Sequence, residues 1–124
     1  MFANLCKFGP GLLAAIFLTG CATAVVPQRT DANQNGTVKS ISSETTAQIT
    51  FVNKSGQDVK IYWLDFSGRR VLYMILEADK SYSQQTYLTH PWLVTDGRDN
   101  VWNIFFADAQ PRVAYIVAPS AKKT

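Results

Sequence analysis

Seven short runs rich in β-branched and aromatic residues, separated by turn signals, constrain this chain more than any other feature. The runs are Gln48–Asn53, Asp58–Asp65, Val71–Leu76, Tyr82–Leu88, Trp92–Thr95, Val101–Phe106 and Arg112–Val117. Between them stand Lys54-Ser55-Gly56, Ser67-Gly68, Ala78-Asp79-Lys80, Asp96-Gly97-Arg98-Asp99-Asn100 and Ala109-Gln110-Pro111. No helical window of ten interrupts the series, so the pattern predicts an all-β fold, a seven-stranded antiparallel β-sandwich over residues 47–118. Of the 15 aromatic residues, 12 lie between Phe51 and Tyr115, which places the core there. A domain this small buries only about 60% of its unfolded surface, and large rings compensate where disulfides do not. In the second run Val59, Ile61 and Trp63 share one face while Tyr62, Leu64 and Phe66 share the other, which predicts a central strand covered on both sides.

The N-terminus reads as a processing signal. One cation precedes an apolar run, Phe8–Leu18, interrupted by Gly9-Pro10-Gly11 and ending at Leu18-Thr19-Gly20-Cys21. The run is about half of the roughly 20 residues that a bilayer-spanning helix needs, so residues 1–20 are expected to be a cleaved leader. Leu-Thr-Gly-Cys resembles the bacterial lipobox, which implies a lipid on Cys21 as the first mature residue. Ala22 follows the cysteine, without the Asp that retains such proteins at the inner membrane. The implied address is the bacterial cell envelope, lipid-anchored at the outer membrane and facing the periplasm. Acyl chains contribute about 0.8 kcal/mol per buried methylene, so no second membrane-binding segment is required.

Residues 21–46 hold the lipid-bearing cysteine and a stretch rich in Thr, Ser, Gln and Asn without aromatic residues, which reads as a flexible tether spanning roughly 25–30 Å. Within it Asp31-Ala32-Asn33-Gln34-Asn35-Gly36 imitates the first half of a calcium loop, but Ser42 occupies the position where a bidentate Glu belongs, and the reading is polar linker. Residues 119–124 form a short C-terminal tail.

Several chemistries lack their parts. With two Cys and one His, neither a disulfide framework nor a Cys/His metal site can be assembled, and no cofactor motif is present. Nucleophilic catalysis needs a base with a group to orient it, and His90 is the single imidazole with Thr86 four residues upstream. No catalytic residues are assigned and no enzyme activity is expected; a carboxylate pair among Asp65, Asp96 and Asp99 has no spacing to support it. A formal charge of +3 with scattered Lys and Arg gives no nucleic-acid face.

Four groups of residues carry a wider resemblance. Phe51-x-Asn53-Lys54-Ser55, Trp63-Leu64-Asp65-Phe66-Ser67-Gly68, Tyr73 with Leu76, and Tyr87-x-x-His90-Pro91-Trp92-Leu93 closing on Asp96 resemble, in order and spacing, the β-domain of the von Hippel–Lindau tumour suppressor family. The stretch Ile104–Ile116 is similar to that family's last hairpin. The resemblance implies a sandwich whose surface pocket binds a trans-4-hydroxyproline in an extended peptide. Trp63, Tyr73 and Trp92 would then be the walls, His90 the hydroxyl's partner, and Thr86 would stand for a Ser. Met74 replaces a Pro and Asp65 an Asn, changes that would alter the rim. With Pro119–Thr124 after the last expected strand, the family's helical domain is not expected here, and no ubiquitin-ligase scaffold is an expected partner. The expected function is thus a lipid-anchored module that binds a peptide or protein segment, with two alternatives open: a structural envelope lipoprotein whose rings are only core, or a domain binding a sugar or polyol.

Overall fold

The computed structural model describes residues 22–28 and 38–120. The expected leader at 1–20, Cys21, the Asp31–Gly36 stretch and residues 121–124 lie outside the described residues. The strands are β1 (Thr23–Ala24), β2 (Thr46–Asn53), β3 (Val59–Leu64), β4 (Arg70–Leu76), β5 (Ser81–Tyr87), β6 (Pro91–Thr95), β7 (Val101–Phe106) and β8 (Arg112–Ile116). They form two four-stranded sheets, β1-β8-β2-β5 and β4-β3-β6-β7. All seven strands expected from the pattern are present, because alternating runs bounded by Gly, Pro and Asp can bury one face only as strands.

Between the sheets lie Ile49 and Phe51 from β2, Val59 and Ile61 from β3, Trp92 and Val94 from β6, Phe105 from β7, and Ala114 and Ile116 from β8. Phe51 stands edge-on to Trp92 and Phe105, with ring centroids 6.0 and 6.3 Å away. These are geometries in which a ring's positive edge meets a negative face. As the alternation required, β3 lies inside its sheet with both faces covered: Leu64 joins Leu93 and Ile104 on the outer face, under Val38, Tyr62, Val101 and Phe106.

Strand direction departs from expectation in one place. β2 and β8 run parallel, from Ile49 opposite Arg112 to Asn53 opposite Ile116, and β1 adds to β8 in the same sense. A period of two is common to parallel and antiparallel strands, so alternation could not distinguish them. The expected last hairpin over Ile104–Ile116 is also corrected, since β7 and β8 belong to different sheets. Phe105 and Ala114 both face the inter-sheet core, so the chain must cross over it instead of turning back in one sheet.

The region expected as tether does not all stand clear of the domain. Val25 N–H donates to Val113 O at 2.7 Å, Gln28 N–H to Ile104 O at 2.8 Å, and Val25 packs on the core. Ser40 is buried and donates its N–H to Asp65 O and its hydroxyl to Leu64 O. Beside Ser40, Val38 helps to cover the apolar outer face of the second sheet.

Asn53 explains one of the sequence motifs. Its side chain, with no exposed surface, donates to Gln57 O and Leu76 O at 2.8 and 2.9 Å and accepts from Ser55 N–H and Oγ–H at 3.0 and 2.6 Å. Its backbone pairs with Lys80 and Asp79. A single amide thereby ties the β2–β3 turn to the β4–β5 turn, and a buried amide is tolerated because its hydrogen-bonding capacity is met.

Candidate functional site

Four strands and one turn bring the five expected pocket residues together. Trp63 on β3 and Trp92 on β6 are direct cross-strand partners. Tyr73 owes its direction to a bulge: the β3–β4 register passes from Ile61 opposite Met74 to Tyr62 opposite Leu72, leaving Tyr73 as the extra residue. A bulge re-aims a side chain. The phenol ring stands 4.9 Å from Trp92 and 6.4 Å from Trp63, nearly perpendicular to both. Thr86 is buried near the end of β5.

His90 follows a tight turn in which its N–H donates to Tyr87 O at 3.3 Å. Thr89 within that turn has φ of 70°, a left-handed value that a β-branched residue rarely adopts. Two contacts hold it there: Thr89 Oγ1 donates to Ile41 O at 2.8 Å, and Leu88 N–H donates to Thr45 O at 3.0 Å.

The five residues line one cavity of about 310 Å³, together with Phe66, Gln85 and Tyr87. It lies where the edge strands β4 and β5 of the two sheets face each other. Trp92, 2% exposed, is part of the core and of the wall at once. Tyr73 at 48% and Phe66 at 52% form the outer rim. Phe66 corrects the strand reading, which put it on the face opposite Trp63. β3 ends at Leu64, and the Asp65 turn breaks the alternation, so that the Phe66 ring stands 5.6 Å from Trp63, edge-on.

Trp92 Nε1–H donates to Thr86 Oγ1 at 2.9 Å. With one lone pair of Thr86 so engaged, its own hydrogen is left to donate elsewhere. The His90 ring is 9% exposed and sits among Trp63, Phe66 and Tyr87 at centroid distances of 5.6, 5.5 and 5.4 Å. Burial pushes its pKa below the ordinary histidine value, so the ring is neutral at pH 7. His90 Nε2 and Trp63 Nε1 are buried and without partners. A hydroxyl entering here can accept from Thr86 and donate to a neutral His90 nitrogen, between aromatic walls.

The aspartates are used in turns. Asp65 Oδ1 accepts from Ser67 N–H and Arg69 N–H, both at 2.8 Å, and Asp96 Oδ1 accepts from Arg98 N–H and Asn100 N–H at 2.8 and 3.0 Å. The Asn100 side-chain amide, which donates to Asp96 Oδ2 at 2.9 Å, does most to hold the Asp96 carboxyl below the usual carboxylate range, together with the Asn100 N–H, and the Arg69 N–H does most to lower that of Asp65. An Asn would supply the same acceptor, so Asp65 keeps the turn. Asp99 pairs with Lys60 at 3.2 Å and accepts from Tyr62 Oη–H; burial and that bond push the Tyr62 phenol up to about 12. None of the three has the raised pKa that a general acid at neutral pH requires. Among the described residues no group of three His, Cys, Asp or Glu could hold a metal ion.

A family model of the VHL beta domain matches residues 38–101, just over half of the chain. The chain belongs to the VHL beta domain family. In this family the β-domain recognises protein or peptide substrates and is a binding domain, not a catalytic one. The match opens at Val38, upstream of the expected boundary at 47, and so takes in Ser40, which is bonded to β3 and its turn. No curated protein matches the chain.

Phe66, Gln85 and Tyr87 were missed as lining residues. Phe66 and Tyr87 stand inside the motifs that carried the resemblance, and that was the available signal. Gln85 stands between Gln84 and Thr86 in a polar run and carried none.

Proposed function

We propose that this protein is a lipid-anchored binding module of the bacterial envelope that captures an extended peptide or protein segment by reading a hydroxylated ring, hydroxyproline above all. The observation that carries the reading is the orientation of polar groups within an aromatic cavity: Thr86, its lone pair held by Trp92, presents a donor, and neutral His90 presents an unpartnered nitrogen. Aliphatic packing would not require a buried imidazole there, and a buried polar atom without a partner is unfavourable unless a ligand meets it. The edge of β4 beside the cavity offers backbone groups to an extended segment. Anchoring through Cys21, with an outer-membrane address, rests on Leu18-Thr19-Gly20-Cys21 and on Ala22.

The structural reading is favoured by Trp92, whose burial makes it core whatever else it does. Intrinsic tryptophan fluorescence separates the readings, because Trp63 and Trp92 both line the cavity. The full chain in detergent is titrated with prolyl peptides, hydroxyprolyl peptides and simple sugars. A saturable change with the hydroxyprolyl peptides alone is expected. Saturation by sugars alone would move the reading to polyol binding, and no response to any of them would favour the structural role.

A further inference from the structure

The start of β1 and an apolar groove lie at the same end of the sandwich. Thr23 stands opposite Arg112 at the start of β8, and the two side chains are hydrogen-bonded. Arg112 Nε–H donates in turn to Asp108 Oδ2 at 2.7 Å, and Asp108 lines an open groove of about 590 Å³. One residue, Ala22, separates Thr23 from Cys21. Two residues of chain reach no further than about 7 Å. With β1 docked on β8, Cys21 is therefore held covalently close to this groove and not at the end of a long tether.

Val38, Leu88, Phe106 and Ala107 line the groove, and Ile41 stands at its edge, 62% exposed. The backbone enforces that exposure: Ile41 O accepts from Thr89 Oγ1 at 2.8 Å, and the neighbouring Ser40 is buried with its N–H on Asp65 O. A large aliphatic side chain fixed in solvent beside an apolar groove marks an interaction surface. Of the charged residues lining it, Asp108 is paired with Arg112, so Lys39 sets the sign of the rim. Apolar walls under a cationic rim match acyl chains beneath phosphate headgroups.

We propose that this groove is the membrane-facing surface of the protein, with Ile41 and the apolar walls against the acyl region of bilayer phospholipids and Lys39 at their phosphates. The proposal rests on the anchoring through Cys21 read above and gives that anchor an orientation. Once a lipid on Cys21 holds the domain at the bilayer, the second contact is intramolecular, so a groove too small to bind a membrane by itself suffices. Nothing about the anchor would present this end to a protein partner instead. Leu88 and Thr89 belong to the turn that carries His90, so the aromatic cavity is held close to the bilayer and its peptide is met at the membrane surface.

The test places the processed protein in vesicles of phosphatidylethanolamine and phosphatidylglycerol that contain phospholipid with a nitroxide on its acyl chain. An environment-sensitive fluorophore is attached through Ser42→Cys, beside Ile41, or through Lys54→Cys, just past the other end of β2; both positions are exposed. The label at 42 is expected to shift to the blue and to be quenched several-fold more than the label at 54. Ile41→Asp, where the side chain already lies largely in solvent, should keep the melting temperature and remove the contrast between the labels. Equal quenching at both positions, quenching at neither, or a contrast that survives Ile41→Asp overturns the proposal. So does a contrast that follows the protein-to-lipid ratio instead of the nitroxide density, which would seat a second copy of the chain on the groove. Intact-mass measurement of the same sample separates the two readings: a mature chain without acyl groups overturns anchoring through Cys21 itself, whereas an acylated chain without contrast between the labels overturns the groove alone.

Discussion

Thr86→Val isolates the bond that orients the pocket's hydroxyl. The two side chains are nearly the same shape, so no cavity opens, yet Trp92 Nε1–H loses its acceptor at 2.9 Å in a place that water does not reach. An orphaned buried donor costs about 1–3 kcal/mol, and Val for Thr is not a neutral exchange in a core. For a domain of this size each 1 kcal/mol lowers Tm by roughly 4–8 °C, so a fall of about 5–20 °C is expected. Thermal unfolding followed by circular dichroism gives the number, and the Trp92 indole N–H resonance gives the cause, since it should move upfield when its acceptor is removed. Thr86→Ser keeps the oxygen and should recover most of the loss. If Thr86→Val melts with the wild type and the Trp92 resonance stays put, the bond does not hold the hydroxyl, and the donor assigned to Thr86 has no structural basis.

Because burial depresses the folded pKa of His90, the unfolded chain takes up its proton first as pH falls; stability from this residue is intact above the ordinary histidine value near 6.5 and declines as pH drops from there toward the lowered folded value. His90→Gln should flatten that part of a Tm-against-pH curve, and an unchanged slope would remove His90 as its source. Asn53→Ala strips four hydrogen bonds from a fully buried position, which should cost about 2–4 kcal/mol by urea unfolding; a loss under 0.5 kcal/mol would contradict its place as the tie between turns. Cys21→Ser should accumulate as an unprocessed precursor, seen as slower migration on a denaturing gel, and normal processing with detergent-phase partition would refute lipidation.

Strand positions were legible because each run alternates or is bounded by residues with fixed turn chemistry, as at Gly68 and Asp96. The parallel pairing of β2 with β8 was not, since their side chains alternate in the same way whichever direction the partner runs. Nor did composition announce β1: Thr23-Ala24 has no apolar signal of its own and pairs through backbone groups that every residue carries. The site was legible as a spaced set of residues, Trp63, Tyr73, Thr86, His90 and Trp92, which the fold gathers around one cavity. What the spacing could not convey was the bulge that turns Tyr73 inward, the left-handed Thr89 that sets His90, or the turn that brings Phe66 over both rings. Each of these depends on a local break in regularity, and periodic reasoning detects only the regular part.

The central claim is that this cavity distinguishes a ring by its hydroxyl through His90. Calorimetric titration of matched hydroxyprolyl and prolyl peptides into wild type and His90→Ala addresses it in four affinities. A buried hydroxyl partner is worth about 1–3 kcal/mol, so the wild type should prefer the hydroxylated peptide by roughly 5- to 150-fold and His90→Ala should lose that preference while still binding the ring between its walls. Equal affinity of the wild type for the two peptides would contradict the claim.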